Sequence, residues 1–332
     1  MHSQRKIQIV GVASGRGAMD ERCANGPLAL RNAGLVTHLQ ARHASVAWTD
    51  TISPAARAGN DVVAAVSGIC GRLAQRIKAV IARGDLPVVL GGDHSCAIGT
   101  WKGVASALRS RGPLGLIWID AHMDAHTSQT TPSGALHGMP LACLLGFGDE
   151  RLTGLADGAS LLPQRVCLIG VRSFETGEAT LLRRLGVRVF FMPEVARRGL
   201  AAVMREALAI ATAGTAGFGV TLDLDALNPK DAPGVGSPVR GGFRTAELMA
   251  ALALLHGHPA LAGVEIAEYN PQRDRYGITA SLASELLLAM LAAPPAAPGV
   301  LDHDRPPLLL VKGKKRLRAG RPCRRGEVVE AA

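Results

Sequence analysis

What most constrains the fold of this chain is a recurring pattern. Short apolar runs, each closed by Gly, Asp or Ser, alternate with segments of helical period. The runs cover 7–12, 87–90, 115–120, 166–171, 187–192, 217–225 and 261–266. Helical-period segments at 61–82, 97–108, 178–185, 201–211, 245–255 and 280–292 lie between most of them. Runs that are apolar throughout predict strands covered on both faces. Their regular alternation with helices predicts a three-layer α/β/α sandwich with a mainly parallel central sheet. No fixed-period repeat and no linker interrupts the pattern before residue 293, so one catalytic domain is expected over 1–311, with a basic tail at 312–332. In such a sheet, ligands bind at the carboxyl edge of the strands.

Composition narrows the class. Of 332 residues, 48% are apolar and 19% charged, which argues against wholesale disorder. The apolar run 286–293 is far short of the ~18–20 residues that span a bilayer, and no signal-peptide core is visible near the N-terminus. The six cysteines are scattered without a CxxC pair, which predicts reduced, mostly buried thiols and a cytoplasmic protein. Net charge is +10, but residues 312–332 hold eight Lys/Arg and two Glu, leaving only +4 for 1–311. That tail has no aromatic residue to stack on bases, so it reads as a solvated extension and not as a nucleic-acid site.

Three predicted strand ends carry the chemistry. After 87–90, Gly91 and Gly92 permit a tight turn and close backbone approach, delivering Asp93 and His94 at the sheet edge. Alone this is a weak signal, equally at home around a structural histidine. After the second, Asp120, His122 and Asp124 alternate with Ala121 and Met123, and in an extended chain such residues point to one side. Three adjacent ionisable groups without a cation would carry a heavy desolvation cost, which favours metal ligation over a merely polar turn. The third places Asp223 and Asp225 on one face, a common motif that gains weight from the other two. Four carboxylates and two imidazoles exceed the needs of one ion and suit two, and oxygen-rich ligation favours Mn²⁺ over thiolate-loving Zn²⁺. Two such ions can acidify a water into a nucleophile, which points to hydrolysis.

These motifs, in their order and spacing, resemble the ureohydrolases, the family of arginase and agmatinase, and arginase most closely. The resemblance runs from about Ile7 to Ala292 and includes the loop 232–242 after the third motif. It implies two Mn²⁺ per subunit and a homo-oligomer, a trimer or hexamer. One ion would be held by His94, Asp120, Asp124 and Asp223, the other by Asp120, His122, Asp223 and Asp225. It further implies that Glu268 grips the guanidinium and that Asp124 and His137 relay a proton to the departing amine, releasing urea. Glu265 is the rival carboxylate at that strand end; the Glu-x-Asn-Pro context favours Glu268.

At the far end of the substrate, the resemblance assigns Ser133 and His126 to an α-carboxylate, and Glu175 and Glu178 to an α-ammonium. His126 stands where arginases usually carry Asn, Glu175 where they commonly carry Asp, and Ser173 replaces another Asp; Asn228 replaces the usual Asp before Pro229. L-Arginine is the first reading, with agmatine or a guanidino acid such as guanidinobutyrate as alternatives. Two further readings come from other classes. A different binuclear metallohydrolase has no cation for Glu268 to grip, and a non-catalytic nucleic-acid binder leaves the intact ligand set unexplained.

Overall fold

The computed structural model describes residues 5–43, 45–55 and 60–292. Eight strands form one sheet in the order β2-β1-β3-β8-β7-β4-β5-β6. They are β1 (Ile7–Val12), β2 (Val46–Ile52), β3 (Leu86–Leu90), β4 (Leu114–Ile119), β5 (Val166–Val171), β6 (Arg188–Phe191), β7 (Gly217–Asp223) and β8 (Leu261–Ala267). All neighbouring pairs are parallel.

Neighbouring residues along a strand feed opposite apolar layers. Ile9, Val88, Leu90, Ile117 and Ile119 join one core with the helices Leu200–Thr212, Thr245–Leu252 and Ile278–Leu291. Val10, Val89, Leu116 and Trp118 join another with Val62–Ala82 and Ala97–Leu108. Period-two side chains between two helix layers give the expected α/β/α sandwich.

The connection from β3 to β4 skips two sheet positions, which β8 and β7 fill later. The carboxyl ends of β3, β8, β7, β4 and β5 therefore lie side by side at the middle of the sheet, and this is where the polar motifs emerge.

Two expectations change. An eighth strand, β2, joins the sheet edge. The strands expected to run through Asp120 and Asp225 stop at Ile119 and Asp223, and Leu224–Ala226 forms a 3-10 turn. The boundary expected at 311, the tail 312–332 and Cys323 lie outside the described residues. The other five cysteines are free and buried, as expected. No helix among the described residues is long and apolar enough to cross a membrane.

Candidate active site

The turn after β3 is built on close approach. A Cβ on Gly92 would lie 1.9 Å from the Ser14 carbonyl oxygen, so only glycine lets the two segments touch. Asp93 closes the turn by accepting from Ser95 N–H at 2.9 Å and Gly17 N–H at 3.0 Å. His94 follows, 1% exposed, its ring stacked on Trp118 with centroids 4.4 Å apart. Its Nδ1 lies 3.0 Å from Asp124 Oδ2, 3.2 Å from Asp223 Oδ2 and 3.3 Å from Asp120 Oδ2.

Asp120 faces two ways. Its Oδ2 accepts from Trp118 Nε1–H at 2.9 Å, and its Oδ1 lies 3.4 Å from His122 Nδ1. His122 Nδ1 is also 3.1 Å from Asp225 Oδ2. Two donor clusters result, His94–Asp120–Asp223 and Asp120–His122–Asp225, with Asp120 common to both. Asp124 adjoins the first through His94. The other oxygen of Asp223 accepts Asp225 N–H at 2.8 Å. The convergence does not come from strand alternation, because Asp124 adopts φ +50° and Asp225 sits in the 3-10 turn.

These donors fit divalent ions. His94 Nδ1 is buried without a hydrogen-bond partner, aimed at three carboxylate oxygens. Adjacent ligands about 2.1 Å from an octahedral ion lie about 3 Å apart, which is the spacing found here. Without a cation the crowded carboxylates disturb one another: burial and the charge of Asp120 push Asp124 up to about 6. Burial likewise raises Asp223 and Asp225, with Asp120 adding to both. Burial also acts against the charged form of Asp120, yet His122 and His94 hold it below the usual carboxylate range.

Glu268 stands beside the clusters at φ +67°, a strained setting for a non-glycine residue. Its Oε1 accepts from His94 N–H at 2.9 Å and lies 3.1 Å from His137 Nδ1; its Oε2 accepts from the Cys23 thiol at 3.3 Å. Burial disfavours protonated His137, but the Glu268 carboxylate outweighs it and pushes the ring up to about 9. The rival Glu265 faces elsewhere, accepting from Thr100 and Thr221 inside the protein.

A polar cavity of about 170 Å³ opens over Asp124, Asp223, Asp225 and Glu268. His126, Ser133, His137, Glu175 and Glu178 also line it, so every expected substrate residue reaches one space. His126 Nε2 lies 2.8 Å from Glu175 Oε2 and 3.3 Å from Glu178 Oε2. The two glutamates also form the capping box of the helix Thr176–Leu185, which fixes their placement. Burial pushes Glu178 up to about 8, whereas His126 holds the exposed Glu175 below its ordinary range.

Sequence reasoning missed Cys23, Thr221 and Trp118 around the ligands, and Thr131 and Ser237 in the cavity wall. Ser237 lies within the loop 232–242, and Trp118 and Thr221 lie in the predicted strand runs 115–120 and 217–225; Cys23 and Thr131 carry no motif.

The profile described as the arginase family matches residues 5–292. The chain belongs to the arginase family. It is 40% identical over 293 residues to the arginase of Bacillus caldovelox, covering 85% of this chain and 97% of that protein. The arginase of Brevibacillus brevis is 38% identical over 296 residues, covering 85% and 96%. The crystal structure of arginase from Bacillus subtilis superposes with a TM-score of 0.81 at 36% identity, covering 88% of this chain and all of that one. As a family member the chain is a hydrolase of the guanidino carbon–nitrogen bond.

Proposed function

We propose that the protein is a manganese-dependent arginase that hydrolyses L-arginine to L-ornithine and urea. The observation that carries this reading is the placement of Glu268. A buried carboxylate beside two clusters of metal-type donors, on the floor of a polar cavity, is suited to a planar cation. The names of the relatives support the same substrate.

His94, Asp120, Asp124 and Asp223 would hold one divalent ion, and Asp120, His122, Asp223 and Asp225 the other. Their oxygen-rich set favours Mn²⁺. Bound ions supply a water acidic enough to act as a nucleophile near neutral pH. Glu268 pairs with guanidinium N–H groups and orients the carbon. Asp124 takes the proton of the attacking water. His137, partly buried at the cavity wall, delivers a proton to the departing amine. At the far end, Glu178 and Glu175 receive the α-ammonium, while Ser133 and His126 donate to the α-carboxylate. The reading carries self-association into trimers or hexamers and a cytoplasmic location with it, the former checked by sedimentation.

The deciding experiment is urea release by the manganese-loaded protein from arginine, agmatine, guanidinobutyrate and guanidinopropionate. Arginine is expected to show the highest kcat/KM. A higher value for a substrate lacking the α-ammonium would move the assignment to a guanidino-acid or agmatine hydrolase.

A further inference from the structure

Behind His94, on the side away from the cavity, lies a buried polar group that the chemistry above does not use. Glu265 on β8 is fully buried and pairs in register with Thr221 on β7. Its Oε1 accepts from Thr221 Oγ1 at 2.8 Å, and its Oε2 accepts from the Thr100 hydroxyl. The same Thr221 oxygen lies 3.0 Å from His94 Nε2.

Resting on the metal-centre reading above, we infer that Thr221 and Glu265 are positioning residues that fix the proton of His94 on Nε2 and leave Nδ1 bare for a metal ion. A threonine hydroxyl has one proton. Thr221 gives that proton to Glu265 Oε1, whose carboxyl group receives the Thr100 hydroxyl on its other oxygen. The Thr221 oxygen is then left to accept, and its remaining neighbour is Nε2. A neutral ring with a proton on Nε2 has a lone pair on Nδ1. That lone pair faces the oxygens of Asp120, Asp124 and Asp223, an arrangement that is repulsive unless a cation lies between them. The stack on Trp118 holds the ring plane. The opposite tautomer would put an N–H among three carboxylates and satisfy it without metal. The relay behind the ring selects against that tautomer.

The test is a titration of the metal-stripped full chain with Mn(II), reading free ion by electron paramagnetic resonance. The wild type is expected to bind two ions. Thr221→Val should weaken one of the two by about 10- to 100-fold, the range typical of lost partners behind a ligand. Thr221→Ser, which keeps the hydroxyl, should restore it. Glu265→Met, which frees the Thr221 proton to point at Nε2, should weaken the same ion. If Thr221→Val does not fold, Thr221→Ala removes the same hydroxyl with less bulk and replaces it. A wild type that binds no Mn(II) overturns the metal-centre reading itself. A wild type that binds two ions, beside a hydroxyl-free variant of equal affinity, overturns the relay alone. So does a Thr221→Ser variant as weak as Thr221→Val.

Discussion

Gly236 has no side chain at the one point where Glu268 leaves no room for one. A Cβ there would fall 2.2 Å from Glu268 Oε2 and 3.2 Å from Cys23 Sγ. The conflict is spatial, because Gly236 is not among the positive-φ glycines and alanine could adopt its backbone. Gly236→Ala should therefore fold and bind Mn(II) normally while displacing the carboxylate. A shift of about 1 Å at a substrate-orienting group costs on the order of 100-fold, so kcat/KM for arginine should fall by that much. Glu268→Gln removes the charge without the displacement. Truncating one side of a buried charge pair costs about 2–5 kcal/mol, so steady-state assays should show a kcat/KM loss of similar size or larger, with metal content unchanged. His137→Asn should lower kcat by about 100-fold or more and leave KM nearly unchanged, as expected for a lost proton donor. Single residues differ in how far their type and spacing betray them. His94, Asp120, His122, Asp223 and Asp225 declare themselves by type and spacing. Between Glu268 and Glu265, both acids at one strand end, spacing is silent and only the Glu-x-Asn-Pro context favours Glu268. The φ of +67° at Glu268 supplies the physical reason: the chain turns there and swings the side chain into the cavity, while Glu265 stays within β8.

Among the elements, seven of the eight strands are legible, and five of those seven are buried along their whole length; β6 is legible although only Phe190 in it is buried. β1, β3, β4, β5 and β7 show no exposed residue, and continuous apolar runs announce them. β2 is not legible because Thr49, Asp50 and Thr51 interrupt its apolar pattern and only its end residues are buried, whereas β6 at the opposite edge keeps the run Val189–Phe191. The stretch 120–124 reads as extended because alternation is the only period a short run can display, and a single left-handed residue such as Asp124 leaves no trace in it. The helix Ala97–Leu108 hides a further feature. Lys102 is fully buried and donates to the carbonyls of Thr153 and Ala159, each at 2.7 Å. It pins the segment after Asp149 to the helix layer. Lys102→Met strands both carbonyls and should cost about 1–3 kcal/mol for each carbonyl left unsatisfied, measured by urea unfolding. Burial also lowers the Lys102 ammonium to about 8 from its ordinary 10.5. Between those values the unfolded chain holds a proton that the folded chain has released. The penalty is thus fully present below about pH 8, and the wild type should gain stability relative to Lys102→Met as pH rises from 8 to 10.5.

For the whole molecule, the site is a property of the sheet order. Its residues come from five loops at adjacent strand ends, β3, β8, β7, β4 and β5, that are far apart in sequence. The site residues named above all lie among the described residues, so a chain lacking 312–332 should keep its arginine turnover and Mn(II) affinity in parallel assays, despite losing a net charge of +6. The same assembly makes stability depend on metal. Four buried aspartates from β4 and β7 lie together, and folding without a cation brings their charges into contact. An ion that binds only the folded chain adds about 4 kcal/mol at a thousand times its Kd, so Mn(II) should raise the melting temperature substantially and a chelator should lower it. The effect has a definite pH sign. Asp124, lifted to about 6 by burial and by Asp120, holds a proton in the metal-free fold across a window where the unfolded chain has lost it. That protonation favours the metal-free fold below the ordinary carboxylate value of 3.8, and the advantage is lost as pH climbs through 6. Metal must displace the proton, so its own contribution grows over the same window. The shift in melting temperature on adding Mn(II) should therefore be larger at pH 8 than at pH 5. In Asp120→Ala, which removes the carboxylate common to both clusters, it should vanish at both. An equal shift at the two pH values in the wild type, or a surviving shift in Asp120→Ala, would separate metal binding from these carboxylates.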